Sequence, residues 1–368
     1  MNAEEKALMS LHLIPKIGNV TIKNLISYCG SAQAVLNLPY SKLIKVPGIG
    51  KKTIDSLKSA EITDFAEKEY LKAKQQNVGI ISYTDQNYPY RLKQIPDAPI
   101  LLYTKGNFPL NAKQPTIAIV GTRNATEYGK RLTEEIVKKL SPLNPIILSG
   151  LAYGIDIYAH RAALKNQLST YAVLGSGIDV IYPSAHKASV NEMLNSGGII
   201  SEQAFGAKPD AFNFPARNRI IAGMADLVIV VEAAKKGGAL ITAELANSYD
   251  REVAAFPGRI GDKYSEGCNK LIKQHKAHLV ETVDDILYVM NWELEKQAEI
   301  KQKVIDLSIL SQDEQNVINT LLQNNKELSI DILSIKSQIS LNKLAGILLN
   351  LEMQGLIKSL PGNRFKMA

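Results

Sequence analysis

Three apolar runs that each end in glycine dominate the middle of the chain: T-I-A-I-V-G at 116–121, I-I-L-S-G at 146–150 and Y-A-V-L-G at 171–175. Runs rich in Ile and Val, without polar alternation, are what strands look like when both faces of a parallel sheet are covered. Glycine at the strand end permits a tight turn or the close approach of another group to the backbone. The same rhythm continues beyond these three. Strands are predicted at 116–121, 146–149, 171–175, 198–201, 227–231, 252–256 and 278–281, with helices at 127–140, 155–166, 185–196, 215–224, 239–249, 266–275 and 283–290. Strand, helix, strand with connections this short implies right-handed crossovers and a parallel sheet wound on both faces. The glycine-rich strand ends lie along one edge of such a sheet, where this architecture takes its ligands.

The flanks differ from this core. Residues 4–59 read as short helices, with K-V-P-G-I-G-K-K-T-I at 45–54 placing a Gly48-x-Gly50 turn before two lysines, and a weaker copy, I-P-K-I-G-N-V-T, at 14–21. The layout resembles a helix-hairpin-helix (SAM-like) unit, whose turn amides and helix N-terminus receive a DNA phosphate. Gly48, Gly50, Lys51 and Lys52 are then secondary DNA contacts; the other reading is a hairpin that only packs. Residues 61–79 read as an amphipathic helix with Phe65, Tyr70 and Leu71 on its apolar side, and short strands at 80–83 and 101–106 are expected to add an antiparallel edge to the sheet. After Trp292 the charged run 293–304 reads as a linker or a solvated helix. S-Q-D-E at 311–314 is a capping box opening a helix with Val317, Ile318, Leu321 and Leu322 inward; helices near 329–337 and 340–353 and two strands around Pro361-Gly362-Asn363 complete a winged helix. Its third helix offers Asn342, Lys343, Asn350 and Glu352, which suit DNA or protein contacts alike. The fold class is α/β: an extended Rossmann-like doubly wound parallel sheet at 66–292, an N-terminal helical domain at 1–65, a linker at 293–310 and a C-terminal winged helix at 311–368.

Composition enters with the question of the ligand. A net charge of +7, from 43 Lys+Arg against 36 Asp+Glu, favours a polyanionic partner. No apolar run reaches the roughly 18 residues of a membrane span, the start M-N-A-E-E-K-A has no secretory pattern, and Cys29 and Cys268 are too few for a disulfide scaffold. A cytoplasmic protein without a membrane partner is expected. A dinucleotide needs G-x-G-x-x-G at the first strand and an acid some 20 residues on; the first turn here is Gly121-Thr122-Arg123-Asn124-Ala125-Thr126, with arginine where the pyrophosphate would approach. The pattern G-x-x-x-x-G-K-[ST] does not occur either, and no cofactor is expected. What remains is an anion site of arginines and backbone amides: Arg123 at the first strand end, Arg217 and Arg219 on the helix after Pro215, and Ser149, Gly150, Ser176 and Gly177 between them. Guanidinium matches phosphate bidentately. The competing role for Arg217 and Arg219 is a salt bridge to Glu202 or Glu232. Phe212, Phe214 and Tyr182 are stacking candidates, with at least two of the three expected in the core.

At these residues the chain resembles the DNA processing protein A family, also called Smf or DprA. The resemblance runs through V-G-T-R at 120–123, S-G-L-A-Y-G-I-D-I-Y-A-H at 149–160, A-V-L-G-S-G-I-D-V-I-Y-P at 172–183, F-P-A-R-N-R-I-I-A-G at 214–223, G-A-L-I-T-A at 238–243, R-E-V-A-A-F-P-G at 251–258 and G-C-N-K-L-I at 267–272. It implies a non-catalytic single-stranded DNA binding protein of natural transformation that protects incoming strands, forms a homodimer through the sheet domain and helps load the RecA recombinase. The nucleic-acid-binding set from residues and resemblance together is Gly121, Thr122, Arg123, Ser149, Gly150, Gly175, Ser176, Gly177, Lys187, Phe214, Arg217, Asn218 and Arg219. There are two departures. Ser184 stands where many relatives have lysine, for which Lys187 is the expected substitute, and Gln274-His275-Lys276 stands where the family often has a glycine.

Asp156 and His160 share a helix face, as an acid/base pair would, or as a helix-start carboxylate and a packed imidazole. His275 and His278 lack a third ligand, so no metal is expected. G-G-A-L-I-T-A-E at 237–244 is similar to the P-G-G-x-G-T-x-x-E signature of lysine-decarboxylase-like phosphoribohydrolases, with Lys236 in place of the proline and the middle glycine missing. An enzyme of that type, and a pure recombinase-interaction scaffold, are the alternatives.

Overall fold

The central strands form where the apolar runs predict them. In a computed structural model, which describes residues 2–15, 17–46, 49–58, 61–106, 110–111, 113–293, 310–324, 327–360 and 363–367, they are β1 (Gly79–Ser82), β2 (Leu101–Gly106), β3 (Thr116–Val120), β4 (Ile146–Ser149), β5 (Thr170–Leu174), β6 (Gly198–Ser201), β7 (Leu227–Val230), β8 (Glu252–Ala255) and β9 (His278–Leu279). Gly48, most of the linker and Pro361-Gly362 lie outside the described residues. The strands make one sheet in the order β1-β2-β6-β5-β4-β3-β7-β8-β9. From β6 to β9 every pairing is parallel, and β2 joins antiparallel to both β6 and β1. The expected antiparallel edge is therefore present.

Both faces of the sheet are covered. Alternate side chains along each strand enter opposite cores: Ala118, Val120, Val228 and Val230 pack on one side with Ile220, Ile221 and Ala243, whereas Ile117, Ile119, Leu227 and Ile229 pack on the other with Ile136, Val137 and Ala159. Strands β3 to β6 step outward in one direction, and the chain then returns to lay β7 against the free side of β3. The crossover helices change face at this reversal, and a crevice opens between the diverging loops after β3 and β7.

The N-terminal helices, Ala3–His12, Asn19–Cys29, Ala32–Asn37, Tyr40–Leu43 and Lys51–Leu57, share a core with Ile100 and Leu101 of the sheet edge and fall with the sheet into one compact unit, Met1–Glu295. The helix predicted over 61–79 spans Glu61–Gln75. It stops because Asn77 takes a left-handed conformation and Val78 N donates back to the Ala73 carbonyl. Its apolar face is not the one expected: Phe65 and Leu71 are exposed, and Ala66, Glu69 and Ala73 are buried. The buried Glu69 carboxylate accepts from Phe205 N at 2.6 Å, so a polar contact orients this helix.

Lys296–Ala368 forms a second compact unit. Helices Gln312–Asn324, Ile330–Ser337 and Leu341–Met353 and strands β10 (Leu328–Ser329), β11 (Ile357–Leu360) and β12 (Arg364–Met367), ordered β10-β12-β11, are those of a winged helix. Ser311 and Glu314 form the expected capping box. Val317, Ile318 and Leu321 are buried, but Leu322 is 49% exposed, one residue past the inward stripe.

Candidate nucleic-acid interface

A cleft of about 510 Å³ lies at the β3–β7 reversal, lined by the loop after β3 (Gly121, Thr122, Arg123), the start of the Asn213–Met224 helix (Phe214, Pro215, Arg217, Asn218) and the loop after β7 (Ala233, Ala234, Lys236, Gly237, Gly238). The β3 loop is held tightly. Thr122 N donates to the Glu232 carbonyl at 2.7 Å, and Ile155 N donates to the Thr122 carbonyl. Gly154 sits at φ +76°, and a Cβ there would fall 2.1 Å from the Thr122 carbonyl oxygen. Only glycine allows this approach. The loop thus projects Arg123 into solvent, where it has no carboxylate partner among the described residues, and its guanidinium lies 5.4 Å from the centre of the half-buried Phe214 ring.

Arg217 forms the floor. Its Nη1 donates to the Gly150 carbonyl at 2.6 Å and to the Val173 carbonyl, clamping the ends of β4 and β5, while its buried Nε has no partner. Gly150 makes room for it: a Cβ there would lie 2.5 Å from the guanidinium nitrogens. Burial lowers the Arg217 pKa to about 10, against the pull of Asp156, and the side chain remains a cation at neutral pH. Asp156 accepts from the backbone N–H groups of Gly150 and Ala152, and burial raises its pKa. It orders the helix start, and His160, packed beneath, bonds Thr170 Oγ1 at 2.7 Å. The two residues thus take the helix-start and packing roles instead of forming an acid/base pair.

Arg219 is not brought to the cleft. Residues two apart on a helix point about 200° away from each other. Arg219 accordingly faces β6, where its Nη2 donates to both carboxylate oxygens of Glu202 at 2.5 Å and its Nη1 donates to the Asp97 carbonyl. The salt bridge weighed as its competing role is the one formed. Ser149 and Ser176 are also engaged internally, donating to the Ile119 and Val180 carbonyls at 2.6 Å each. Gly177 N donates to the Ala207 carbonyl. Gly175 leaves space for the Phe214 ring, 3.0 Å from where its Cβ would be. Lys187 is exposed on the next helix but does not line the cleft. The expectation that at least two aromatic candidates are buried is overturned: Phe212 is 86% and Tyr182 48% exposed, and Phe214 is half-buried with its ring 6.1 Å from that of Tyr182. Lys236, Gly237 and Gly238 also line the cleft, and the signal for them in the sequence is the Gly-Gly pair between a strand end and a helix.

The two hairpin copies in the N-terminal helices differ. In the first, Gly18 caps Asn19–Cys29, and Asn19 is turned into the protein, donating to Glu202 Oε1 at 2.6 Å and accepting from Ile100 N at 2.9 Å. In the second, Gly50 caps Lys51–Leu57 and Lys51 and Lys52 are exposed. Within the winged helix, Lys343 pairs with Asp313, Asn350 donates to Glu314 at 2.6 Å, and Glu352 accepts from Ser359 N at 3.0 Å. Three of the four polar residues expected to face a partner are thus held inside their own unit.

Residues 79–291 match the family model for DNA recombination-mediator protein A, residues 306–363 that for the DprA winged helix domain, and residues 6–60 that for a SAM-like helix-hairpin-helix tandem. Similar curated proteins include the DNA processing protein DprA of Streptococcus pneumoniae, 44% identical over 59% of this chain and 76% of the relative, and that of Bacillus subtilis, 37% identical over 65% and 83%. Among solved structures, that of DprA from Streptococcus pneumoniae is 34% identical, with a TM-score of 0.63 over 78% of this chain and 98% of the other. A structure described as giving insight into the single-stranded DNA binding mode of DNA processing protein A from Helicobacter pylori is 28% identical, with a TM-score of 0.53 over 58% and 95%.

Proposed function

The chain belongs to the DNA recombination-mediator protein A family, and from that premise we propose that it is a single-stranded DNA binding protein of natural transformation that grips the strand at the β3–β7 crevice without chemistry of its own. One observation carries this reading: an exposed Arg123 beside the Phe214 ring, above an Arg217 whose buried Nε is unpartnered. A phosphate needs a guanidinium that no carboxylate has claimed, and a base needs a ring face. Lys236 and the Gly237 and Gly238 amides extend the positive lining. Protection of incoming DNA, loading of RecA, homodimer formation and a cytoplasmic location belong to the same proposal. Among the described residues no helix is long and apolar enough to cross a membrane.

The phosphoribohydrolase alternative finds little support. Glu244, the carboxylate of the 237–244 segment, pairs with Lys276 at 3.1 Å and does not line the cleft. Release of ribose phosphate from a nucleoside monophosphate by the purified protein would reinstate that alternative.

Arg123→Ala tests the proposal, because Arg123 is exposed and its loss leaves the fold intact. In an oligothymidine anisotropy titration the affinity falls about tenfold, and the salt dependence becomes shallower by about 0.7 in the log–log slope, the value for one single-strand phosphate contact. Unchanged affinity and slope would sink the phosphate-gripping role. A pull-down of the recombinase after nuclease treatment separates DNA-mediated association from a pure scaffold.

A further inference from the structure

A second cleft, of about 710 Å³, adjoins the first. Two loops run from one into the other. In the loop after β3, Gly121 to Arg123 line the first cleft, while Thr126, which caps the Glu127–Leu140 helix, and Tyr128 in that helix's first turn line the second. In the loop after β7, Ala233 and Ala234 line the first and Glu232 the second. The far wall is the loop after β8, residues 257–265, so the second cleft continues the carboxyl edge of the sheet in the order β3, β7, β8.

That wall is a built structure. The Asn269 side-chain amide donates to the Gly258 carbonyl at 2.9 Å and accepts from Gly258 N at 3.0 Å, fixing one end of the loop, and Ala233 N donates to the Tyr264 carbonyl at 2.7 Å, fixing the other. Between these anchors Arg259 and Lys263 stand exposed without a carboxylate partner among the described residues. Two carboxylates share the cleft with them: the exposed Asp262 in the same loop, and Glu232, whose buried carboxylate accepts from both the backbone N–H and the hydroxyl of Thr126. Tyr128, on the opposite wall, is 53% exposed. Lys263 lies 5.5 Å from the centre of the Tyr264 ring, and exposed cations and an open aromatic ring lining one cleft are the two elements of a single-strand site.

We propose that this second cleft is a further subsite for the same DNA strand, with Arg259 and Lys263 taking phosphates and Tyr128 stacking a base. The inference rests on the strand-binding function proposed above. A strand long enough to leave the Arg123 cleft along the β7 loop passes directly into it.

Two oligothymidines test it, one of about 6 nucleotides and one of about 20, toward the short end of and beyond the roughly 4–16 nucleotides such sites span. The Arg259→Ala/Lys263→Ala variant should bind the long oligomer about tenfold more weakly, with the salt slope shallower by about 1.4, and bind the short one as wild type does. Tyr128→Ala should weaken the long oligomer about fivefold with the slope unchanged. A Lys138→Ala/Lys165→Ala control removes the same charge near the C-terminal ends of two crossover helices, at the opposite edge of the sheet, and should change neither. Long-oligomer affinity and slope equal to wild type, or a loss matched by that control, would overturn the subsite. If Arg123→Ala weakens both oligomers while Arg259→Ala/Lys263→Ala weakens neither, the second subsite fails and the strand-binding function stands. If the wild-type protein holds neither oligomer, both fail.

Discussion

His160 shows how much a single buried residue commits. Its Nδ1 lies 2.7 Å from the Thr170 hydroxyl, which itself donates to the Ile147 carbonyl at 2.9 Å, so Nδ1 carries the proton and Nε2 is left as a bare acceptor with no partner. Burial, reinforced by the charges of Arg217 and His186, lowers its pKa to about 3. A folded-state pKa below the unfolded value of about 6.5 means that the unfolded chain binds the proton more readily. The contribution to stability is complete above that value and is lost as pH falls toward 3, at up to about 1.4 kcal/mol per pH unit. Denaturant midpoints measured between neutral pH and pH 4 should fall more steeply for wild type than for His160→Gln; parallel curves would refute this. A neighbouring residue shows what sequence reading misses at this scale. Arg217 and Arg219 read as one cluster in F-P-A-R-N-R, yet helix geometry alone separates them, and the position of Glu202 decides which is taken by a carboxylate. His275, within the 274–276 segment where the resemblance leads one to expect a glycine, takes a left-handed conformation itself at φ 55°.

At the scale of elements, the central strands and crossover helices were legible almost to the residue, because the apolar runs of β3 to β7 are buried on both faces and leave no alternative register; the edge strand β9, exposed at both residues, is two residues shorter than expected. The Glu61–Gln75 helix was legible in extent to within four residues but not in orientation. Its inward face is chosen by a buried glutamate bond to the Phe205 amide, which no periodicity records. The two glycine-capped hairpins illustrate the same limit, since similar local sequences serve different ends. The first is part of the seam with the sheet edge, where Asn19 satisfies Ile100 N and Glu202 together. Asn19→Ala leaves that backbone donor without its partner, and the loss should be about 1–3 kcal/mol, seen as a lower urea midpoint for the Met1–Glu295 unit. An unchanged midpoint would mean that the seam does not depend on this bond.

For the whole molecule, the contact pattern divides the chain into two units, each with its own core. Val317, Ile318, Leu333, Leu344 and Leu348 close the smaller core without help from the sheet. A fragment of residues 310–368 should therefore fold alone. A fragment without helical circular dichroism would contradict this. The crevice of the larger unit was legible as a sheet edge with arginines, but not as a reversal point between β3 and β7, because strand order is a long-range property that no local window contains. The clamp of Arg217 on the Gly150 and Val173 carbonyls also bears on the speed of capture. The rotamer freedom of that side chain has been lost once, on folding, instead of at each encounter, so under the proposed role a strand meets a cleft floor that is already ordered. Under the proposed strand-binding role, capture then waits on diffusion and on the exposed side chains at the rim, Arg123 and Lys236.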